Sequence, residues 1–318
     1  MRLSLAPVPY AWSRADLLRF YEEAIHWPLD GVVLGEYVCG KRRELRREDW
    51  WAIAEAWAAS GREVVLTTPV LPDPDADIQH LRRVVGNGRF SVEANDLTSV
   101  ALLRKRSLSF VGGPGLNLYN HRDVALFQRA GMTRWVLNPE QGRKDLADFR
   151  RYSEGTSPPE VEVVAWGRSA LAYSPRCFSA RAAGAPKDDC RFVCRDWPEG
   201  LPVRTRDGVP FLRLNGVEVQ SETLYDLAPE IPLLKQLGVS LLRLVPQPEG
   251  TADIVSRFRL AIAGASVPRV GAASRYWPSA DAGKAPVAGA GGTRDAPASS
   301  PQVAASRSEK EGRGDGGA

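Results

Sequence analysis

The sequence predicts an α/β fold of the (β/α)8, TIM-barrel-like class, with a cysteine-bearing insertion and a β-ribbon between strands seven and eight. Short apolar runs rich in β-branched residues alternate with helical patterns, which is typical of βα units around a parallel sheet. Eight strand candidates recur at fairly regular spacing, apart from one long excursion, and a barrel of this class needs about 250 residues. Periodicity alone leaves an open, doubly wound sheet as the alternative.

The individual elements follow from local patterns. The predicted strands are residues 2–8, 31–35, 63–67, 90–94, 108–112, 134–138, 160–165 and 240–245. Apolar stripes at helical spacing predict a helix beginning at Ser13 and further helices over 48–60, 75–85, 122–130 and 224–237. The insertion spans about residues 167–222, and Asn215-Gly216 predicts the turn of a β-hairpin over 211–219.

The chain divides into a barrel-like domain, residues 1–264, and a tail, residues 265–318. The tail is rich in Ala, Gly, Ser and Pro, so it buries too little apolar surface to offset its ordering entropy, and we predict it to be disordered.

The net charge is +4; the tail has seven Lys/Arg and five Asp/Glu, which leaves +2 on the body. A body so close to neutral does not favour a nucleic-acid partner.

The location of the protein is predicted from two features of the chain. No stretch approaches the roughly 20 apolar residues of a membrane helix. The short, proline-broken apolar run at the N-terminus does not fit a signal peptide. We therefore expect a cytoplasmic protein with no membrane span.

Four cysteines are the main chemical feature. Cys177, Cys190 and Cys194 lie in the insertion with the spacing C-x12-C-x3-C, and Cys39 follows the second strand. Because the carboxyl ends of strands two and seven share one face of a closed barrel, we expect the four thiols to meet there. Stable disulfides are rare in the cytoplasm, which favours metal ligation. The spacing leaves an iron–sulfur cluster, a zinc site and unligated buried thiols as alternatives.

Charged residues near the strand ends are further candidates. Glu36 and Glu140 each come just past a strand, where they would act as acid, base or anchor, or form a structural salt bridge. A basic run after Cys39 is either a solvated helical turn or a set of cations that offsets a thiolate cluster or holds an anionic substrate. Within this run Arg42 and Arg43 are the candidate supports of the cluster. The run consists of Lys41, Arg42, Arg43, Arg46 and Arg47.

Several segments resemble the collagenase-like peptidase family, and within it the members that act in oxygen-independent ubiquinone biosynthesis. They are LGEYVCGKRR (34–43), NLYN (117–120), WVLNPE (135–140) and GRSALAYSPRC (167–177). The likeness covers about residues 3–264, and its specific part is one early cysteine with a late group of three. The resemblance implies a barrel-type fold and a [4Fe–4S] cluster ligated by Cys39, Cys177, Cys190 and Cys194.

The resemblance also implies partners and a reaction. The partners are the related protein UbiU, in a heterodimer, and a lipid-binding accessory protein of the quinone pathway. The reaction is hydroxylation of the aromatic ring of a quinone precursor without molecular oxygen. No nucleophile or metal pair in the sequence supports the family's peptidase name, so we expect a hydroxylase subunit and not a functional peptidase. The alternatives are an RNA-base hydroxylation enzyme of the same wider family and a zinc-stapled scaffold that binds a partner.

Overall fold

The computed structural model describes residues 1–72, 75–153, 155, 157–274 and 276–277. The strands are β1 Arg2–Leu5, β2 Gly31–Leu34, β3 Glu63–Thr67, β4 Ser91–Ala94, β5 Phe110–Gly112, β6 Met132–Val136, β7 Glu160–Tyr173, β8 Leu201–Arg204, β9 Pro210–Asn215, β10 Glu218–Asp226 and β11 Leu241–Leu244. The α-helices are α1 Arg14–Ala24, α2 Arg47–Ala59, α3 Asp75–Val85, α4 Leu97–Lys105, α5 His121–Arg129, α6 Arg143–Tyr152, α7 Phe178–Ala182, α8 Ile231–Gln236 and α9 Thr251–Ile262.

Strands β1 to β7 and β11 form a closed parallel barrel, which confirms the predicted fold class. The sheet closes because β11 pairs in parallel with both β1 and β7, and this pairing excludes the open doubly wound sheet. Val33, Val65, Val111 and Val136 pack together inside the barrel. Alternate residues of the same strands face outward and join the helices in the main hydrophobic core.

Helix starts follow the local capping signals. The Ser13 side chain accepts a hydrogen bond from Asp16 N at 3.1 Å and begins α1. Asn120 accepts from the backbone N–H groups of Arg122 and Asp123, each at 3.0 Å, and begins α5. These bonds satisfy amide groups that the first helical turn leaves unpaired. Among the described residues, no helix has both the length and the apolarity needed to cross a bilayer.

The predicted helix over 224–237 is wrong in its first part. Leu224, Tyr225 and Asp226 end strand β10, which pairs antiparallel with β7, and α8 begins only at Ile231. The backbone groups of this segment find partners on the extended end of β7. This pairing overrides the local helical pattern.

The predicted insertion and hairpin are present, with a small shift in the turn. Strand β7 continues past the barrel and joins β10, β9 and β8 in an antiparallel ribbon. Asn215 pairs with Glu218, so the two turn residues are Gly216 and Val217 instead of Asn215 and Gly216. Gly216 has a φ of +67°, a conformation that glycine adopts without steric cost.

The first part of the predicted tail makes defined contacts with the barrel. Ala272 N donates to Leu224 O at 2.7 Å, and Arg143 N donates to Tyr276 O at 3.0 Å. The Trp277 side chain is buried in the main core. Residues 278–318, on which most of the predicted disorder falls, lie outside the described residues.

Candidate metal centre

The loop that carries Cys39 is fastened to the cysteine-bearing insertion by polar contacts. Lys41 Nζ donates to the Lys187 carbonyl and to Asp188 Oδ1, each at 2.9 Å. Arg195 Nε donates to Glu44 Oε1 at 2.8 Å. Asp188 lies two residues before Cys190, and Arg195 directly follows Cys194, so these contacts hold the loop beside the late cysteines.

An apolar cluster draws the thiols to the same junction. Cys177 is buried together with Val38, Ala180 and Val217, and both Cys39 and Cys190 pack against this group. Cys194 lies near enough to Cys177 to influence its ionisation. All four cysteines are free thiols. The structure therefore gathers the four predicted residues where the β2 loop meets the insertion.

The four thiols do not already form a site for a single ion. Across the part of the chain that the structure describes, no three His, Cys, Asp or Glu side chains are placed to hold one metal ion. Burial raises the pKa values of the Cys39 and Cys177 thiols. Because a metal ligand must be a thiolate, metal binding here would release protons and would depend on nearby positive charge.

Arg42 provides that charge. Its side chain is 4% exposed, and it donates to Pro9 O at 2.6 Å and to Asn215 Oδ1 at 2.8 Å. Burial acts to lower the pKa of Arg42, but Glu36 and the Cys194 and Cys39 thiols more than offset it, so the pKa is raised. Its Nε is buried and has no hydrogen-bond partner among the described residues. Arg43, the other predicted support, is exposed and its Nε donates to Gly40 O at 3.4 Å.

Replacing Arg42 with Lys is expected to lower the free energy of unfolding by about 1.5–3 kcal/mol. Two different nitrogens of the guanidinium donate to the Pro9 carbonyl and to the Asn215 amide oxygen, and the single nitrogen of an ammonium group does not reproduce this forked geometry. Urea unfolding at an unchanged m-value measures the loss. Arg43→Lys, which changes the exposed neighbour in the same way, should alter stability by no more than about 0.5 kcal/mol. Equal effects in the two variants would contradict the assigned role of Arg42.

The two predicted carboxylates, Glu36 and Glu140, accept hydrogen bonds, and neither forms a salt bridge within the described residues. Glu36 Oε1 accepts the backbone N–H groups of Val38 and Cys39, each at 3.1 Å, and so shapes the Cys39 loop. Burial raises the pKa of Glu36 to about 7. Glu140 accepts from the Tyr119 hydroxyl. The structure places Glu140 outside the contacts of the cysteine junction.

The segment between Cys190 and Cys194 is held in an uncommon conformation. Arg191 and Phe192 have φ values of 48° and 53°, in the left-handed region that residues with a side chain rarely adopt. The Arg195 guanidinium lies over the Phe192 ring at 4.6 Å. Consecutive residues in this region cost free energy and persist where surrounding contacts fix them, often at functional sites.

Sequence reasoning missed a buried polar group that supports the junction from the barrel side. The Glu218 carboxylate accepts from Asn215 Nδ2 at 2.8 Å, Gln220 Nε2 at 2.7 Å and the Tyr173 hydroxyl at 3.0 Å. Burial, with the Glu218 charge as the next cause, raises the pKa values of Tyr37 and Tyr173. Asn215 was the one residue of this group that the sequence singled out, as a turn residue. Its side chain instead links Glu218 to Arg42, because it donates to Glu218 and accepts from Arg42.

The fold and this junction define the class: a (β/α)8 barrel that carries four cysteines on one loop and one insertion. The model of peptidase family U32 matches residues 18–265. The chain therefore belongs to peptidase family U32, in agreement with the resemblance read from the sequence.

Three solved structures to which the chain is similar have sequence identities of 10–14%. The U32 peptidase Mk0906 is 14% identical, with 78% of this chain and 94% of that one covered and a TM-score of 0.42. Dihydropteroate synthase from Thermus thermophilus is 14% identical, with coverage of 82% and 92% and a TM-score of 0.40. An uncharacterised Clostridium thermocellum protein that binds 5-methyl-5,6,7,8-tetrahydrofolic acid is 10% identical, with coverage of 82% and 94% and a TM-score of 0.43. At such values these similarities carry no functional argument.

Proposed function

We propose that the chain is a [4Fe–4S] protein of the UbiV type, required for oxygen-independent ubiquinone biosynthesis. In this proposal Cys39, Cys177, Cys190 and Cys194 hold the cluster, and the chain acts with a UbiU-like partner in hydroxylating the ring of a quinone precursor. The observation that carries the proposal is the gathering of all four cysteines of a 318-residue chain at one junction.

We infer a cluster rather than a zinc ion from the resemblance that the four cysteines carry. A structural zinc ion needs four ligands that converge on one point, whereas a [4Fe–4S] cluster takes one thiolate on each of four separate iron atoms. Cysteine thiolates suit either group by ligand type, and the described thiols share one junction. When bound, such a cluster supplies one-electron transfer or a Lewis-acidic iron atom, depending on its ligation.

The neighbouring residues support this donor set. Arg42 is buried, positively charged and near Cys39 and Cys194, and its unpartnered Nε offers a hydrogen bond that sulfur would accept. Glu36 fixes the backbone of Val38 and Cys39, so it holds the first ligand in place. The bonds from Lys41 to the insertion keep the early and late cysteines together.

The biological setting is part of the same proposal. We assign the chain to the cytoplasm and to a heterodimer with a UbiU-like protein, which acts on the quinone precursor together with the lipid-binding accessory protein. The basis of this assignment is the resemblance of the four cysteine-bearing and strand-end segments to the ubiquinone-biosynthesis members of the family.

Metal analysis of anaerobically purified protein tests the cofactor. We expect about four iron and four sulfide per chain and a broad absorbance band at about 400 nm, both lost in Cys39→Ser. The variant should keep the wild-type circular dichroism spectrum, which separates ligand loss from unfolding. A colourless wild-type protein that holds one zinc ion would reject the cluster and support the scaffold alternative.

Quinone analysis tests the pathway. A strain lacking this chain should make no ubiquinone when grown without oxygen and should recover it with the wild-type gene but not with Cys177→Ser. Growth with oxygen is the control, because oxygen-dependent hydroxylation does not need this protein. Normal anaerobic ubiquinone together with a missing RNA-base modification would instead favour the RNA-hydroxylation alternative.

A further inference from the structure

A second candidate site lies outside the barrel wall. A cavity of about 750 Å³ is present between helices α2 and α3, and Leu34 and Leu66 line it. Their chain neighbours Val33 and Val65 face the barrel interior, so the cavity lies on the outer side of β2 and β3. Its volume is within the range of about 300–1,000 Å³ that small-molecule sites occupy.

The cavity has an apolar floor and a strongly cationic rim. Leu34, Leu45, Ala54, Leu66 and the Trp50 indole supply apolar surface. Six exposed arginines surround this floor, and within the described residues none of them forms an ion pair with a carboxylate. They are Arg43, Arg46, Arg47, Arg82, Arg83 and Arg106.

Few negative charges balance this rim. Glu36 and Asp77 are the carboxylates among the lining residues, and Glu36 already accepts two backbone N–H groups. The pKa of His80, which also lines the cavity, is lowered by burial and further by the charges of Arg83 and Arg43. The body as a whole is near neutral, so the positive potential here is local and would be relieved by a bound anion.

We propose that this cavity binds a small organic anion, one with a ring-sized apolar body and a carboxylate or phosphate group. The floor accommodates the apolar body, and Trp50 and Trp51 present aromatic surface to it. Guanidinium groups pair with carboxylate and phosphate oxygens through two parallel hydrogen bonds, which suits the arginine rim.

The cavity and the cysteine junction are adjacent but separate. Glu36 and Arg42 line the cavity and also contact or influence Cys39, so a bound anion would lie one side-chain layer from the thiols. None of the four cysteines lines the cavity. Binding therefore does not require the proposed cluster, and the two proposals fail independently.

Calorimetric titration of the full-length protein with phenyl phosphate, benzoate and inorganic phosphate tests the site. We expect phenyl phosphate or benzoate to bind about tenfold or more tightly than inorganic phosphate, because the floor buries the ring. Arg82→Gln combined with Arg83→Gln should weaken that binding by about tenfold or more. Comparing phenyl phosphate with benzoate identifies the preferred anionic group. Repeating the titration with Cys39→Ser should give unchanged affinity, whether or not a cluster forms.

A matched charge-loss variant controls for general electrostatic attraction. Arg122→Gln with Arg129→Gln removes two exposed arginines from helix α5, which does not line the cavity, and should change affinity by less than about twofold. Equal weakening by the two double variants would overturn the site, and so would the absence of binding by both organic probes. Inorganic phosphate binding as tightly as phenyl phosphate would overturn the organic ligand class.

Discussion

Replacement of Arg243 by Met is expected to lower the free energy of unfolding by about 3–5 kcal/mol. Arg243 lies inside the barrel on β11 and is 3% exposed. Its Nη2 lies 2.6 Å from Glu93 Oε2, and its Nε lies 2.7 Å from Glu162 Oε1. Both carboxylates are buried, so removing the guanidinium leaves Glu93 without its cation and leaves Glu162 with only the longer contact to Arg134, at 3.7 Å.

The effect should depend on pH in a defined direction. Burial alone would raise the pKa of Glu162, but Arg243, with help from Arg134 and Ser4, holds it below its usual value. In the wild type this stabilisation is present at neutral pH and is lost as the pH falls through the lowered pKa. Without Arg243, burial acts to raise the pKa of Glu162, so the deficit grows as the pH rises above about 4.3, the ordinary pKa of a glutamate. We therefore expect a larger difference between variant and wild type at pH 8 than at pH 5.

Urea unfolding at the two pH values measures this prediction, and two further variants control it. Arg259→Met removes a partly exposed ion pair with Asp30 and should cost about 1 kcal/mol or less. Adding Glu93→Gln and Glu162→Gln to Arg243→Met removes the buried charges and should recover part of the loss. If Arg243→Met lowers the free energy of unfolding no more than Arg259→Met does, the prediction is wrong, and other groups stabilise the charges of the buried carboxylates.

This charged network marks a limit of sequence reasoning. The strand around Leu241–Leu244 was predictable from its apolar run, but the inward position of its one arginine was not. Its partners lie 81 and 150 residues earlier in the chain, on β7 and β4. Barrel closure sets these pairings, and no local pattern encodes them.

The cysteine junction shows what the sequence does contain. Spacing and strand order predicted that Cys39 would meet the late cysteines, because strand ends of a closed barrel share one face. The means by which they are held were not predictable. Asn215 reads as a turn residue, yet its side chain joins Arg42 to Glu218 across the junction. The pairing register of β9 and β10 places Asn215 opposite Glu218. That register is set by the pairing of all the strands of the ribbon and not by the turn sequence alone.

Part of the segment that composition assigns to the tail contacts the barrel. After Gly264 the sequence turns to small residues and proline, which predicts disorder. The composition of a whole segment does not reveal the packing of a single aromatic residue within it. Trp277 is such a residue, and its side chain lies in the main core. The polar contacts of this segment are also specific: Arg269 pairs with Glu230, and Val270 N donates to Asp226 Oδ2 at 2.9 Å.

Replacing Trp277 with Ala is accordingly expected to lower the free energy of unfolding by about 3–5 kcal/mol. The indole is 3% exposed, so its loss removes apolar burial and leaves a cavity in the core. Tyr276→Ala is the control, because that side chain is 49% exposed and its backbone carbonyl, which Arg143 N contacts, is retained. It should cost no more than about 0.5 kcal/mol.

Chemical denaturation of the full-length chain compares the two variants. A large loss of stability in Trp277→Ala but not in Tyr276→Ala would show that residues 265–277 unfold together with the barrel. The reason is that the packing of a segment contributes to the global free energy of unfolding only if the segment unfolds in the same transition. Two equally small losses would support the predicted boundary at Gly264. The distinction bears on truncation: a chain cut at the compositional boundary would lose the indole, the Arg269–Glu230 ion pair and the Ala272 contact with β10 together.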